Sequence, residues 1–188
     1  YGVDAQEYDR YGATYARQAL SNGIEAFGSD KSFFKYNGDV VRMQLLMGGS
    51  ALVLRAGGQL TPEHLLPSSE QFQIGGISTV RGYSEGLLIG DNGYVASAEL
   101  DFPLPYTNKT FLENVKGVVF CDNGGAFPYR PGGKAIDRDD FLVSVGFGSI
   151  INLGRSLTAR VNLGIPLTDR ENTAGNIVCQ FYVQYNFL

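Results

Sequence analysis

The residues best suited to chemistry lie in a long loop, residues 62–92, between two strand-like segments. Residues 66–93 read LPSSEQFQIGGISTVRGYSEGLLIGDNG and contain a single arginine, Arg81. A loop of this length inside a compact domain is uncommon unless it has a function. A guanidinium stays charged and presents a fork of donors that fits a carboxylate, so the chemistry open to Arg81 is ion pairing. Taken by itself, an arginine in a polar loop is more often solvated than paired.

Enzymatic chemistry finds little support in the chain. His64 is the only histidine, and its place in the long loop gives no support for a Ser-His-Asp triad. Gly75-Gly76 lacks the lysine and the serine or threonine that follow the glycines of a phosphate-binding loop. Three aspartates in a later loop are better explained as solvated side chains than as a cation site: Asp137, Asp139 and Asp140. We predict that the protein is not an enzyme and has no cofactor or metal site.

The composition narrows the class of protein. A formal net charge of -4 and an isoelectric point near 5.0 give none of the basic surface typical of nucleic-acid binding, so no nucleic acid is predicted as a partner. No apolar run approaches the roughly eighteen residues of a membrane-spanning helix. A soluble all-β protein and a β-barrel remain, since a closed barrel also pairs every backbone group within a bilayer. The chain begins at Tyr1 without a basic and apolar leader, and we expect an export signal to have been removed.

Apolar and polar residues alternate along seven segments of about ten residues, and more weakly along an eighth, residues 11–20, as expected of β-strands. In one segment, Leu157, Ala159 and Val161 alternate with polar residues. Short turns and long polar loops follow the segments in turn, which is the arrangement of outer-membrane barrels. Residues 1–10 are charged, and we expect them to be irregular. The predicted strands cover residues 11–20, 34–46, 51–60, 93–102, 115–123, 141–148, 156–165 and 179–187.

The polar faces of these strands distinguish a membrane barrel from a soluble sandwich. They are rich in Gly, Ser, Asn, Gln and isolated charges, whereas the solvated face of a sandwich usually carries more Lys and Glu. Such a face suits a water-filled lumen, with the apolar face toward lipid. Cys121 and Cys179 fall at apolar positions and are predicted to face lipid. We predict one all-β domain over residues 1–188, an antiparallel transmembrane β-barrel of about eight strands.

Two short motifs resemble those of a bacterial outer-membrane superfamily. Val80-Arg81-Gly82-Tyr83 follows Leu66-Pro67 and Gly75-Gly76 in the long loop, and Phe120-Cys121-Asp122-Asn123-Gly124 lies on a predicted strand beyond it. With these motifs the chain resembles the superfamily of BamA-type barrel-assembly factors and two-partner secretion transporters. The resemblance implies that the long loop folds back into the barrel as a lid and that Arg81 pairs with Asp122.

The residues around this pair are physically compatible with it. Asp122 falls on the polar face of its predicted strand, and a guanidinium in a narrow lumen needs a carboxylate partner. Glu99, on the polar face of a neighbouring predicted strand, is a second candidate acceptor. Gly82 and Gly124 would allow the backbones to approach closely. We expect Tyr83 to pack on the wall of the lumen.

The C-terminal residues are similar to the signal by which outer-membrane barrels are recognised for assembly. Tyr185, Phe187 and Leu188 carry this similarity, with an aromatic residue in the penultimate rather than the last position. The resemblance therefore implies a location in the bacterial outer membrane, in contact with its lipid and lipopolysaccharide.

The function that the resemblance implies is transport without catalysis. Client polypeptides would cross the membrane through a pore, or enter it at a seam between weakly paired strands, while the lid shapes and gates the barrel. The alternative is a passive porin or structural barrel that keeps the loop as a plug. A lipid-remodelling barrel is a third, weaker alternative.

The length of the chain leaves two possible ways in which a complete barrel could form. Members of the superfamily usually have about sixteen strands and periplasmic POTRA domains, whereas this chain resembles only the C-terminal half of such a barrel. A closed eight-stranded barrel is filled by its own side chains and has no room for the long loop. The chain is therefore either a piece of a longer protein or one half of a homodimer whose two copies form a single barrel.

Overall fold

The computed structural model of the chain describes residues 2–9, 12–24, 32–62, 66–104, 114–129, 136–153, 156–170 and 175–187. Within these ranges the chain forms strands and two short 3-10 helices, Met47–Gly49 and Arg138–Asp140. No helix in the described ranges is long and apolar enough to cross a membrane. The strands are β1 (Gly2–Asp9), β2 (Gly12–Ile24), β3 (Ser32–Leu45), β4 (Ala51–Leu60), β5 (Phe72–Ile74), β6 (Leu88–Gly90), β7 (Asn92–Pro103), β8 (Asn114–Phe127), β9 (Phe141–Leu153), β10 (Leu157–Pro166) and β11 (Val178–Tyr185).

Nine of these strands form one antiparallel sheet in the order β1-β2-β3-β4-β7-β8-β9-β10-β11. The hairpin of β5 and β6 lies within the long loop and forms a small sheet of its own. Each strand of the main sheet thus pairs with the next one along the chain, the up-and-down arrangement that hairpin connections produce. The predicted all-β antiparallel architecture is confirmed.

The prediction for the N-terminus is wrong. Residues 1–10 were expected to be irregular, but they include β1, which pairs with β2 from Gly2 opposite Ala19 to Asp9 opposite Gly12. The main sheet therefore has nine strands instead of eight. The alternation in β1 is short and acidic, so its own propensity is weak, and the ladder to β2 is what makes it a strand.

Connections at the two ends of the sheet differ in length. A short turn joins β3 to β4, with Gly48 and Gly49 at φ values of 74° and 78°, a conformation that favours glycine. At the opposite end, the long loop joins β4 to β7, and residues 128–140 and 167–177 make the later connections. The connection from β7 to β8, residues 104–113, is longer and lies at the same end as the β3–β4 turn, so the division into short turns and long loops that is typical of outer-membrane barrels holds only in part.

The two faces of the sheet have opposite chemistry. The outer face carries exposed apolar side chains, and the inner face carries buried polar ones. The free thiols of Cys121 and Cys179 are exposed, consistent with their predicted place on the apolar face. The inner face includes Lys35, Gln59, Glu99, Asp122, Ser144 and Asn162, and the outer face includes Leu54, Val119, Phe147, Val161, Phe181 and Val183.

The inner face is concave. Arg160 on β10 forms an ion pair with Glu99 on β7, although β8 and β9 lie between these strands. Neighbouring strands are about 4.8 Å apart, so curvature is what brings the two side chains together. Residues of β3, β4, β7, β10 and β11 also line one common cavity. The sheet therefore wraps around its polar face.

The main cluster of buried apolar residues lies between the sheet and the long loop. The loop contributes Ile74, Val80 and Tyr83 to this cluster. Each fully buried aliphatic or aromatic side chain contributes about 1.5–3 kcal/mol relative to an exposed one, so the loop is held by a hydrophobic core of its own. The sheet contributes Val95, Ala126 and Leu142.

Candidate functional site

In the long loop, the Val80–Tyr83 motif directly follows a tight turn at residues 75–79, in the segment that connects β5 to β6. Gly75 and Gly76 have φ values of 109° and 96°, which glycine adopts without strain. The hydroxyl of Thr79 donates to the Gly75 carbonyl at 2.8 Å and accepts from the Gly75 N–H at 2.9 Å. This closed turn directs Val80–Tyr83 onto the inner face of the sheet.

Arg81 lies against the carboxylate of Asp122 on β8. Arg81 Nε is 2.7 Å from Asp122 Oδ2, and Nη2 is 2.8 Å from Oδ1, so the pair is bidentate. The backbone N–H of Arg81 donates to Oδ2 at 3.1 Å, and the hydroxyl of Ser97 donates to Oδ1 at 2.6 Å. Asp122 is fully buried, and these donors offset the loss of its hydration.

A second carboxylate, Glu99 on β7, completes the charge cluster. Its Oε2 accepts from Nη1 of Arg81 and from Nη2 of Arg160. The guanidinium of Arg81 also lies over the ring of Phe120, with Cζ 3.6 Å from the ring centroid, which is a cation–π contact. The two arginines balance Asp122 and Glu99, so the cluster is buried without a net charge.

Two opposing effects act on the ionisation of Arg81. Burial lowers the pKa of the guanidinium, whereas the hydrogen bonds and charges of Asp122 and Glu99 raise it, and the net result is a pKa above the ordinary value of arginine. Arg81 is therefore charged at any physiological pH. The site is suited to permanent ion pairing and not to proton transfer.

Gly82 allows the loop to lie directly on β10. Its φ of 89° is in the left-handed region, and a Cβ at this position would be 3.0 Å from the backbone carbon of Gly164. A Cβ on Gly164 would in turn be 2.6 Å from the Cα of Gly82. The contact between loop and strand therefore needs glycine on both sides.

Gln180 on β11 binds the loop backbone beside this contact. Its Oε1 accepts from the Gly82 N–H at 3.0 Å, and its Nε2 donates to the Tyr83 carbonyl at 3.0 Å. The sequence pattern placed Gln180 on a polar strand face but did not connect it with the loop. The same is true of Arg160.

The side chains of Val80 and Tyr83 are buried against the sheet. The hydroxyl of Tyr83 donates to the Val143 carbonyl at 2.7 Å and accepts from the Thr168 N–H at 3.0 Å. Val80 packs beside Gly124 on β8, where a Cβ would be 3.0 Å from Val80 Cγ2. Every residue of the Val-Arg-Gly-Tyr motif thus contacts the inner face.

Another buried carboxylate, Asp91, fixes the base of the loop. Its Oδ1 accepts from the Leu66 N–H at 2.7 Å, and its Oδ2 accepts from the Tyr129 N–H at 2.8 Å. Lys35 Nζ donates to the Glu70 carbonyl at 2.9 Å and is 2.9 Å from Glu70 Oε2. The loop is held at both base and tip, and the sequence pattern does not predict the contacts at the base.

A cavity of about 340 Å³ lies beside the charge cluster on the inner face. Arg81, Glu99 and Arg160 contribute to its lining, and Arg55 on β4 and Tyr182 on β11 line it as well. The cavity is the space that the loop leaves beside itself within the curved sheet.

The predicted C-terminal signal residues lie apart from the charge cluster. Tyr185 ends β11, and its ring makes an edge-to-face contact with that of Phe187, with centroids 4.8 Å apart. Phe187 is 90% exposed. Leu188 lies outside the described residues.

The aspartates near residue 140 have a local structural role. The side chain of Asp137 accepts from the backbone N–H of Asp140, and Asp140 Oδ2 accepts from the Asp137 N–H at 2.8 Å, so the two residues form a capping box. Asp137 Oδ1 also accepts from the Arg138 N–H at 2.6 Å. Within the described ranges, no group of three or more His, Cys, Asp or Glu is arranged to hold a metal ion. His64 lies outside those ranges.

Comparisons with known proteins identify the family of the chain and a shared fold. The family model described as the Omp85 superfamily domain matches residues 12–187. The heme/hemopexin transporter protein HuxB of Haemophilus influenzae is 27% identical over 165 residues, covering 86% of this chain and 28% of HuxB. CdiB from Acinetobacter baumannii superposes with a TM-score of 0.76 at 21% identity, covering 98% of this chain and 32% of CdiB. For CdiB from Escherichia coli the TM-score is 0.74 at 19% identity, covering 97% and 34%. The chain thus spans about a third or less of each of these proteins.

Proposed function

Because the chain belongs to the Omp85 superfamily, we propose that it forms part of a barrel through which polypeptides cross or enter the outer membrane. The family predicted from the motifs is confirmed, and so is the location in the outer membrane of Gram-negative bacteria. The relative HuxB is named a transporter, which favours transport over a purely structural barrel. The exposed apolar face of the sheet would contact lipid and lipopolysaccharide.

The long loop serves as the lid of this barrel. The observation that carries this proposal is the bidentate, buried pair of Arg81 and Asp122, which fastens the tip of the loop to the concave polar face. A loop held by ion pairing and a small apolar core can be released as a unit when water or a client replaces those contacts. Such a device regulates passage and needs no catalytic group.

The barrel is closed by partners for β1 and β11, the end strands of the described sheet. An unpaired strand edge is not tolerated in a bilayer, because its backbone groups would lack hydrogen bonds. Two arrangements supply partners: further strands of a longer protein, or a second copy of this chain. The mass of the detergent-solubilised particle, corrected for bound detergent, separates them. Two 20.4 kDa chains per particle would support the homodimer, whereas one longer polypeptide would refute it.

Photo-crosslinking in living cells tests the translocation of polypeptides. A photoreactive residue replaces Tyr182, which lines the inner cavity, in the protein expressed from its own gene. We expect crosslinks to exported or outer-membrane polypeptides, identified by mass spectrometry, that disappear when protein synthesis is stopped. The matched control replaces Phe147, an aromatic residue that is 50% exposed on the outer face of β9, two strands from the end of the sheet, and should give no such crosslinks.

A passive porin predicts a different result. No polypeptide would be captured at position 182, while the purified protein would still conduct small ions across a planar bilayer. That combination would overturn the proposed translocation and leave the loop as a plug.

A further inference from the structure

The contact between Gln180 and the long loop joins the tip of the loop to the last strand of the sheet. A single side-chain amide serves two backbone groups, the Gly82 N–H and the Tyr83 carbonyl, each at 3.0 Å. Among the described residues, neither backbone group has another hydrogen-bond partner. Because Gly82 and Tyr83 are both buried, loss of Gln180 would leave a donor and an acceptor unsatisfied away from water.

The loop backbone crosses β10 before it reaches Gln180 on β11. Gly164 has no side chain at the point where Gly82 crosses it, and a Cβ there would be 2.6 Å from the Cα of Gly82. The next strand, β11, therefore comes within reach of a glutamine side chain. Within the described residues, β11 is paired only with β10, so Gln180 is an additional attachment of this strand to the rest of the molecule.

The two ends of the same tripeptide bind different parts of the sheet. Arg81 is held by Glu99 and Asp122 on β7 and β8, whereas Gly82 and Tyr83 are held by β11. Residues 81–83 thus connect the centre of the sheet with its last strand. A change that releases one contact weakens the other, because both require the loop in its seated position.

We propose that Gln180 is a positioning residue that couples the seating of the lid to the order of β11, so that release of the lid also loosens this strand. The proposal rests on the proposed lid function of the loop. A movement of the lid then directly affects β11 at the edge of the sheet, where this strand pairs with the strand that closes the barrel. Glutamine suits this position because its amide supplies one donor and one acceptor, which glutamate, leucine and the shorter asparagine do not supply together at this reach.

Hydrogen exchange of the intact protein in detergent micelles tests the coupling. Gln180→Leu should speed amide exchange about tenfold or more both in peptides covering residues 80–84 and in peptides covering β11. The matched control is Gln184→Leu on the same strand, since Gln184 is exposed and its amide donates to Asn186 at 3.1 Å rather than to the loop. This control should leave exchange of the loop unchanged.

Two further variants keep the test decisive. Gln180→Glu retains the shape and the acceptor for Gly82 but loses the donor to Tyr83, so it should give an intermediate increase in exchange even if the leucine variant folds poorly. In an Arg81→Ala background, where the lid is already released, Gln180→Leu should add little to the exchange of β11.

The outcomes separate the coupling from the proposed function. Faster exchange in the loop with unchanged exchange in β11 would overturn the coupling, as would no change in either segment. If Gln180 variants loosen both segments while no polypeptide is captured at position 182, the coupling stands and the translocation does not.

Discussion

Both carboxylate oxygens of Asp122 are bound by the guanidinium of Arg81, at distances of 2.7 and 2.8 Å. Breaking one partner of a buried pair leaves the other as an uncompensated charge, so Arg81→Ala and Asp122→Ala should each destabilise the folded protein by about 3 kcal/mol. The double variant should lose about as much as either single one, because the two changes remove the same interaction. Urea unfolding of the purified protein in detergent measures all three.

Two control variants accompany this double-mutant cycle. Arg81→Lys keeps the charge but loses the planar fork, and should recover only part of the stability. Arg138→Ala removes an exposed arginine from the capped 3-10 helix and should have little effect. Additive losses from Arg81→Ala and Asp122→Ala would show that the two side chains act independently.

The contact of Gly164 with Gly82 leads to a prediction about how closely the loop packs on β10. In Gly164→Ala the new Cβ would lie 2.6 Å from the Cα of Gly82, so the loop must move away from β10. We expect a cysteine introduced at the exposed Ser84 to react faster with a maleimide, and the protein to lose about 1–3 kcal/mol of stability. In Gly38→Ala, where the nearest atom is a Tyr36 side-chain atom at 3.5 Å, neither quantity should change. Unchanged labelling of Ser84→Cys in the Gly164→Ala protein would contradict the close approach.

The sequence predicts the strands well where the pattern is local. Alternation identifies eight of the nine strands of the main sheet, because each side chain's face is set by its own position along the strand. It misses β1, whose acidic residues suggest a frayed end, and it misses the β5–β6 hairpin, whose three-residue strands are too short to show a period. In both cases pairing with a neighbour, and not the local pattern, forms the strand.

The residues of the candidate site also divide into those that the local sequence pattern predicts and those that it does not. Asp122 and Glu99 are assigned to the polar face from strand phase, and the structure brings both to Arg81. Gln180 and Arg160 also lie on polar faces in the sequence, but so do many other side chains. Which of them meets the loop depends on the register of β10 and β11 and on the curvature of the sheet, and neither property is encoded in a single segment.

The buried hydroxyl of Tyr83 provides a milder test of the contacts that hold the loop on the sheet. Tyr83→Phe keeps the ring in the apolar cluster but removes the donor to the Val143 carbonyl and the acceptor for the Thr168 N–H. We expect a loss of about 1–2 kcal/mol in urea unfolding, because both backbone groups are left without this partner. Tyr185→Phe, at a ring that is 56% exposed, should cost far less. Equal losses in the two variants would contradict the role of the Tyr83 hydroxyl.

The exposed ring of Phe187 separates an assembly signal from a structural contact. Its side chain is 90% exposed and touches only the edge of the Tyr185 ring among the aromatic contacts described, so Phe187→Ala should leave the unfolding free energy of the assembled protein nearly unchanged. If the residue belongs to a signal that the assembly machinery reads, the same variant should reduce the amount of heat-modifiable, folded barrel in outer-membrane fractions several-fold. The matched control is Ile177→Ala, an exposed apolar residue just before β11, which should assemble normally. Normal assembly of Phe187→Ala would show that the C-terminal aromatic residue carries no assembly signal.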